Sequence, residues 1–320
     1  MRNTMKKYDL GTLARKDALE LIKTGAPVYV LVNPVENHGP HLPLQTDYLL
    51  SLGATQDLHL RFLAEGKDWP LLIYPVLHLG AGPAPGLGSV HTSYAEIKSL
   101  VHGVALSLVE LGAKTVIWMT FHGDPFHNSA IQKGVDFLNA QGVISFAPFH
   151  FVLNEMLEMN SKTFGVPLKL IESEKDRKEM AKGLGFDFHA GFFETSLVLH
   201  YSPDSVSEIY KQLPPCPKGH EPRWMLMMAK IVEKWGNRRL ASEWRLISFV
   251  KGWTGLDPFP GYTGKPHCSS AAVGQYFAKR IVEIYYDFAK QFLMDPKNTP
   301  LPKLPLDWVL VPTLNGRLGV

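Results

Sequence analysis

The residues of this chain best suited to chemistry lie in one short stretch, Glu36-Asn37-His38-Gly39-Pro40-His41-Leu42-Pro43-Leu44-Gln45-Thr46-Asp47. It offers carboxylates and imidazoles but no thiolate, a ligand set that suits Zn, Mn or Fe, and one of its carboxylates can bridge two ions. A second cluster offers His122 and Asp124, with His127 nearby, and a third, Asp187 to Ser196, offers His189 and Glu194. Together these supply enough N and O donors for a two-metal site with ions about 3.5–4 Å apart. Such a site activates a water and polarises a carbonyl, while a nearby histidine moves a proton to the leaving nitrogen, which describes amide hydrolysis. Plainer roles stand beside this one. His41, His78, His91 and His127 read equally well as hydrogen-bonded structural histidines. Asp187 fits a helix cap and Glu194 a helix dipole partner, and the pairs Phe192-Phe193 and Trp118-Met119 fit a core.

The elements that must position these groups follow from pattern. Ala26–Val32, Trp69–Leu77, Lys114–Phe121 and Val143–Phe146 are apolar runs that read as buried strands. Between them the spacing predicts helices over Asp47–Leu63, Ser93–Leu111 and Asn128–Asn139; Ser93 with Glu96 makes a capping box, and Gly112 a stop. Strands alternating with helices mean an α/β fold, a mostly parallel sheet with helices on both faces. The first two clusters follow strands, so the carboxyl edge of the sheet could gather them. From Tyr201 to about Trp253 the pattern is less regular, with a helix expected over Trp224–Trp235 and a charged stretch over Arg239–Arg245. The reading is one domain over 1–320 with an insertion or subdomain at about 201–255. A long helix over Cys268–Leu293 follows.

Composition excludes several classes. The chain has 320 residues, 45% hydrophobic and 20% charged, with a formal charge of +3 and no stripe of basic residues. Nothing there points to nucleic acid or an anionic membrane. No apolar run approaches the ~20 residues that span a bilayer. The two cysteines, Cys216 and Cys268, are far apart and offer neither a disulfide framework nor a thiolate site, which fits a cytoplasmic protein. The glycine-rich loop Gly80–Ser89 lacks the Lys-Ser/Thr pair of a P-loop, and Pro83 and Pro85 break the dinucleotide fingerprint. No Gly-x-Ser-x-Gly elbow is present.

These clusters resemble the creatininase (creatinine amidohydrolase) family. Glu36-Asn37-His38-Gly39-Pro40-His41-Leu42-Pro43 running to Asp47 is similar to the family's opening metal motif. His189-Ala190-Gly191 through Glu194-Thr195-Ser196 is similar to its His-Ala-Gly…Glu-Thr-Ser signature, and Gly261-Tyr262-Thr263-Gly264-Lys265-Pro266 to its closing Gly-x-x-Gly-x-Pro segment. The resemblance implies a creatininase-like layered architecture, two divalent ions per subunit (Zn, Mn or Fe) and a homo-oligomer, often a hexamer. It places Glu36, Asp47 and His122 on one ion and His38 with the bridging Asp47 on the other, and makes His189 the proton shuttle. Asp124 stands where creatininase has a metal-binding glutamate, and Glu194 is the alternative group to complete the second site. Departures fall on substrate contacts: Gly123 replaces a tyrosine, and Gly185-Phe186-Asp187-Phe188 holds none of the tryptophans that enclose creatinine.

The function implied is a metal-dependent amidohydrolase, a hydrolase of C–N bonds other than peptide bonds. It would attack a small cyclic amide, formamide or related small molecule through a metal-bound hydroxide. Two alternatives stand beside it: a catalytically inactive metal-binding or scaffold member, and a peptidase-like relative trimming a modified peptide.

Overall fold

The computed structural model describes residues 5–157 and 167–310. Its strands are β1 (Lys7–Asp9), β2 (Val28–Leu31), β3 (Leu71–Ile73), β4 (Thr115–Met119) and β5 (Ile144–Phe146). They form one five-stranded sheet in the order β1-β3-β2-β4-β5, every neighbouring pair parallel. Side chains of a strand alternate between faces, and here both faces are apolar. Tyr29, Leu31, Leu71, Ile73, Ile117 and Met119 point into one core layer. Val28, Val30, Leu72, Val116 and Trp118 point into the other.

Each layer is closed by helices. Against the second lie α1 (Arg15–Ile22), α3 (Tyr94–Glu110) and α4 (Pro125–Ala140). Against the first lie α2 (Thr46–Ala64), α5 (Phe149–Leu157), α6 (Glu174–Gly183), α7 (Phe192–Tyr201) and α10 (Ala271–Met294). The chain therefore leaves β2 by α2 on one face toward β3, and leaves β4 by α4 on the other face toward β5. The adjacent strands β2 and β4 flank the point where the strand order reverses, which is where open α/β sheets bind ligands.

Local chemistry explains where these elements begin. The Ser93–Glu96 capping box is present in both directions. Helix α4 starts at Pro125, ahead of the expected Asn128, because Asp124 accepts a hydrogen bond from His127 N–H and proline suits the first helical position. Helix α10 starts at Ala271 under a Ser270 cap, and the preceding residues Pro266–Cys268 form a 3-10 turn. Strand β1 at the sheet edge has no counterpart in the sequence pattern. The irregular segment after Tyr201 folds as 3-10 turns and a pair of packed helices, α8 (Arg223–Lys234) and α9 (Arg238–Thr254). The charged stretch Arg239–Arg245 is the first half of α9, capped by the Asn237 side chain.

Two packing features predict measurable behaviour. A Cβ on Gly274 would stand 1.8 Å from the Ser196 carbonyl oxygen, so α10 crosses α7 backbone to backbone. Gly274→Ala is expected to cost about 3 kcal/mol of stability, because rigid main chain must move to admit the methyl group. An unchanged denaturant midpoint would show that the crossing is looser than this. His150 is buried with Nε2 unpaired, and burial pushes its pKa down to about 3. The unfolded chain protonates this ring near pH 6.5 and the folded chain does not. Stability is therefore lost as pH falls from about 6.5 toward 3, at about 1.4 kcal/mol per pH unit from this group. His150→Met is expected to flatten the acid limb of a denaturant titration by one proton; an identical slope would remove His150 from that account.

Candidate metal centre

The segment after β2 turns back on itself. Glu36 N–H donates to Leu44 O at 3.0 Å, and Gly39 takes a positive φ of 70°, so Glu36, His38 and Asp47 return to one place. Asp47 sits in the first turn of α2, where the helix dipole favours a carboxylate. After β4 the backbone is held by Asn33: its Oδ1 accepts from Phe121 N–H at 3.0 Å while its amide donates to Ser51 Oγ at 2.8 Å. That clamp delivers His122 beside Glu36. The sequence motifs do not mark Asn33; its place directly after a buried strand is the available signal.

The third cluster is fixed differently. The Asp187 carboxylate accepts from Phe192 N–H and Phe193 N–H, both at 3.0 Å, so it caps α7. Thr263 ties down the preceding loop: its Oγ1 accepts from the N–H groups of Phe188 and His189, and its own N–H donates to His189 O at 2.8 Å. Gly264, at φ 61°, leaves no room for a side chain, since a Cβ would stand 1.8 Å from Asp187 Oδ2. The Gly261–Pro266 segment is thus the strap over the His189 loop. Ala190 holds φ 47°, a costly value for a residue with a Cβ, and donates to Glu194 Oε2 at 2.6 Å.

The structure brings Glu36, His38, Asp47, His122, His189 and Glu194 together, all buried. His122 Nδ1 lies 2.9 Å from Glu36 Oε1 and 3.6 Å from Asp47 Oδ2. His38 Nε2 lies 3.4 Å from Asp47 Oδ1, 3.7 Å from Glu194 Oε2 and 3.9 Å from Glu36 Oε1. Ligand atoms about 2.0–2.2 Å from one ion sit roughly 3–3.5 Å from each other; His122–Glu36 and His38–Asp47 are close to that spacing, and the other three pairs are somewhat wider. Two groups result, Glu36–Asp47–His122 and His38–Asp47–Glu194, with Asp47 in both. A third grouping, Glu36–His38–His189, overlaps them. Asp124 lines the same cavity, but its carboxylate is used as the α4 cap and belongs to none of the groups found among the described residues.

Hydrogen bonding and charge fit a metal. Glu36 Oε1, His38 Nε2 and Asp47 Oδ2 are buried without a well-formed hydrogen bond, and buried polar atoms are seldom left so. The far nitrogens of both rings are occupied: His38 Nδ1–H donates to Glu36 O at 3.1 Å, and His122 Nε2–H to Ala81 O at 2.9 Å. Each ring then turns a lone pair inward, the orientation that metal-binding histidines take. Three carboxylates and two imidazoles packed this closely distort each other's titration. Burial pushes Glu194 up to about 8, against the pull of His38. Asp47 is raised to about 6 by burial and by Glu36. Burial would lower His122 and His38, yet Glu36 beside the first and Asp47 beside the second hold them up at about 10 and about 9. Burial would raise Glu36, but His122 keeps its carboxyl well below the usual range. Protons are standing where cations would relieve the crowding, so the residues fit divalent ions.

His189 differs from the other two rings. Burial and the neighbouring His38 lower it to about 3, so it is neutral at physiological pH. Its ring stacks on His38 at 4.3 Å, and Nε2–H donates to Asn37 O at 2.8 Å, leaving the lone pair on Nδ1. His41 and His127, by contrast, pair with Thr195 Oγ1 and Thr120 Oγ1.

Glu36, Asp47, His122, His189 and Glu194 line a cavity of about 430 Å³. Its apolar walls include Phe149, Leu153 and Phe188, together with Leu246, Val250 and Trp253 of α9. The Trp253 ring lies 5.1 Å from that of His189, and its Nε1–H donates to Tyr262 O. The residues just before His189, Gly185-Phe186-Asp187-Phe188, include no tryptophan, yet the α8–α9 segment delivers one to it. Helical spacing of Leu246, Val250 and Trp253 was the legible sign.

Comparison with known proteins agrees with this frame. Two mycobacterial proteins named mycofactocin precursor peptide peptidase align at 25% identity. The one from Mycobacterium tuberculosis does so over 203 residues, 62% of this chain and 67% of its own; the one from Mycobacterium ulcerans over 206 residues, with the same coverage. The structure named "Creatininase Mn" shares the fold at TM-score 0.57 and 16% identity, covering 90% of this chain and 98% of its own. A mutant creatininase of "Zn-Zn type" does so at TM-score 0.57 and 16% identity, over 89% and 98%. The family model described as creatinine amidohydrolase matches residues 12–288, and the chain belongs to the creatininase family.

Proposed function

We propose that this chain is a two-metal hydrolase of amide C–N bonds. The observation that carries the reading is the sharing of Asp47 between two buried ligand groups, one completed by Glu36 and His122 and the other by His38 and Glu194. When bound, the ion pair supplies an activated water and polarises the scissile carbonyl. His189 takes up a proton at Nδ1 and returns it to the departing nitrogen, with Asn37 O holding the ring in the tautomer that permits this. Trp253 and Phe188 cover the His189 side of the cavity and keep bulk water from the reacting bond. Zinc, manganese or iron suits these imidazole and carboxylate donors.

The size of the cavity supports one substrate class over another. At about 430 Å³ it lies within the size range of pockets that enclose drug-sized ligands, well beyond the needs of a compact cyclic amide or formamide. An extended acyl amide, or the end of a peptide, fits it better, which favours the peptidase-like branch. The relatives named as peptidases support that choice. No helix among the described residues is long and apolar enough to cross a membrane. With its modest net charge, the chain reads as a cytoplasmic protein acting on a dissolved substrate. The family resemblance adds a homo-oligomer, often a hexamer, to this reading. A panel of lactams, formamides, acyl amino acids and short peptides, assayed with Zn²⁺ or Mn²⁺ and again with chelator, tests the proposal. Chelator-sensitive release of amine from the acyl or peptide members is expected; turnover confined to lactams and formamides would reverse the substrate choice, and chelator-resistant turnover would reject the metal reading.

A further inference from the structure

Among the described residues lining the cavity, five are acidic: Glu36, Asp47, Asp124, Asp187 and Glu194. All are buried, apart from Asp124, which is half-buried, and each has a role given above at the metal end or as a helix cap. One lining residue is a lysine and none is an arginine: Lys251, on α9. It follows Ile247 by one helical turn and precedes Thr254 by less than another, and all three line the cavity, so this face of α9 looks into it. Lys251 is exposed, and among the described residues no carboxylate or carbonyl is paired with its ammonium group. The ion pairs found among the described residues form elsewhere, as at Arg239–Glu243 and Lys265–Asp176. The same lining includes Val250, Leu246, Leu153 and Phe149, which offer no charge.

The cavity lining therefore combines an anionic, metal-fitting set of carboxylates, apolar walls and one lysine on α9. We infer that Lys251 is the specificity residue of this site, taking a carboxylate that the substrate carries beyond an apolar segment from the bond to be cleaved. The inference rests on the hydrolase reading above and narrows it to anionic amides with an apolar body. A single ammonium suits a monoanion; a phosphate would call for the several convergent donors of an arginine fork or a glycine-rich cradle, which this wall lacks.

The test uses aliphatic hydroxamates of graded chain length, each ending either in a carboxylate or in the matching neutral methylamide. Their affinities are measured by calorimetry on the Zn²⁺-reconstituted protein. The hydroxamate occupies the metal end and the tail samples the lysine. At the best length the carboxylate is expected to bind about tenfold tighter than the methylamide, the low end for a charged hydrogen bond because Lys251 is exposed. Lys251→Met abolishes that preference and Lys251→Arg keeps it. Equal binding of the two tails at every length, or a preference that survives in Lys251→Met, overturns the inference while leaving the metal reading intact. Failure of both probes to bind at any length rejects the metal site, and this inference with it.

Discussion

Replacing Asp47 with alanine is expected to lower kcat/KM about a thousandfold or more, roughly 4 kcal/mol of lost transition-state stabilisation, and to reduce bound metal below two ions per chain. The size follows from the geometry. Asp47 alone belongs to both ligand groups, with Oδ1 3.4 Å from His38 Nε2 and Oδ2 3.6 Å from His122 Nδ1. Glu36 and Glu194 each complete one group, so Glu194→Ala is expected to leave one ion in place and to hurt less. Asp47→Asn keeps the volume of the side chain and separates loss of charge from collapse of the loop. Full activity with two ions retained in either Asp47 variant would remove the bridge from the mechanism.

His189→Ala is the other large effect, expected in kcat and not in metal content. Loss of a positioned proton carrier lowers the rate by roughly 10²–10⁴-fold. KM should change little, because the substrate is held by the apolar walls and by the metal end. The neighbouring strap offers a control: Thr263 bonds the backbone around His189, so the loop should persist without the ring. His189→Gln can still donate to Asn37 O but cannot carry the proton, and should be as slow as the alanine variant. A variant that loses an ion along with its rate would instead place His189 among the ligands, in the Glu36–His38–His189 group.

Much of this was legible in the sequence because the site is built from strand ends. Val28–Leu31 and Thr115–Met119 announce themselves as buried runs, and a parallel sheet must bring their carboxyl ends to one edge, so Glu36 and His122 had to be neighbours. The role of Asp187 as a cap was also readable, since an acid just ahead of an apolar helix has few better uses. What the pattern could not give was anything set by packing between distant segments. Asp124 has the donor chemistry of a ligand, but a proline directly after it offers the α4 N terminus, and the cap wins its carboxylate. Strand β1 is too short to leave a periodic signal, and only its pairing with β3 makes it a strand. The pocket wall was hidden most deeply. Trp253 and Lys251 acquire meaning because α9 packs near α5 and closes the cavity, a contact between segments nearly a hundred residues apart in the chain.

The central claim is that two divalent ions sit on either side of Asp47, and metal stoichiometry tests it most directly. Elemental analysis of protein reconstituted with Zn²⁺ or Mn²⁺ and freed of loose ions should find about two ions per wild-type chain, with hydrolysis lost on chelation and restored on re-addition. Fewer than one ion per chain, with no recovery of activity on adding Zn²⁺, Mn²⁺ or Fe²⁺, would contradict it.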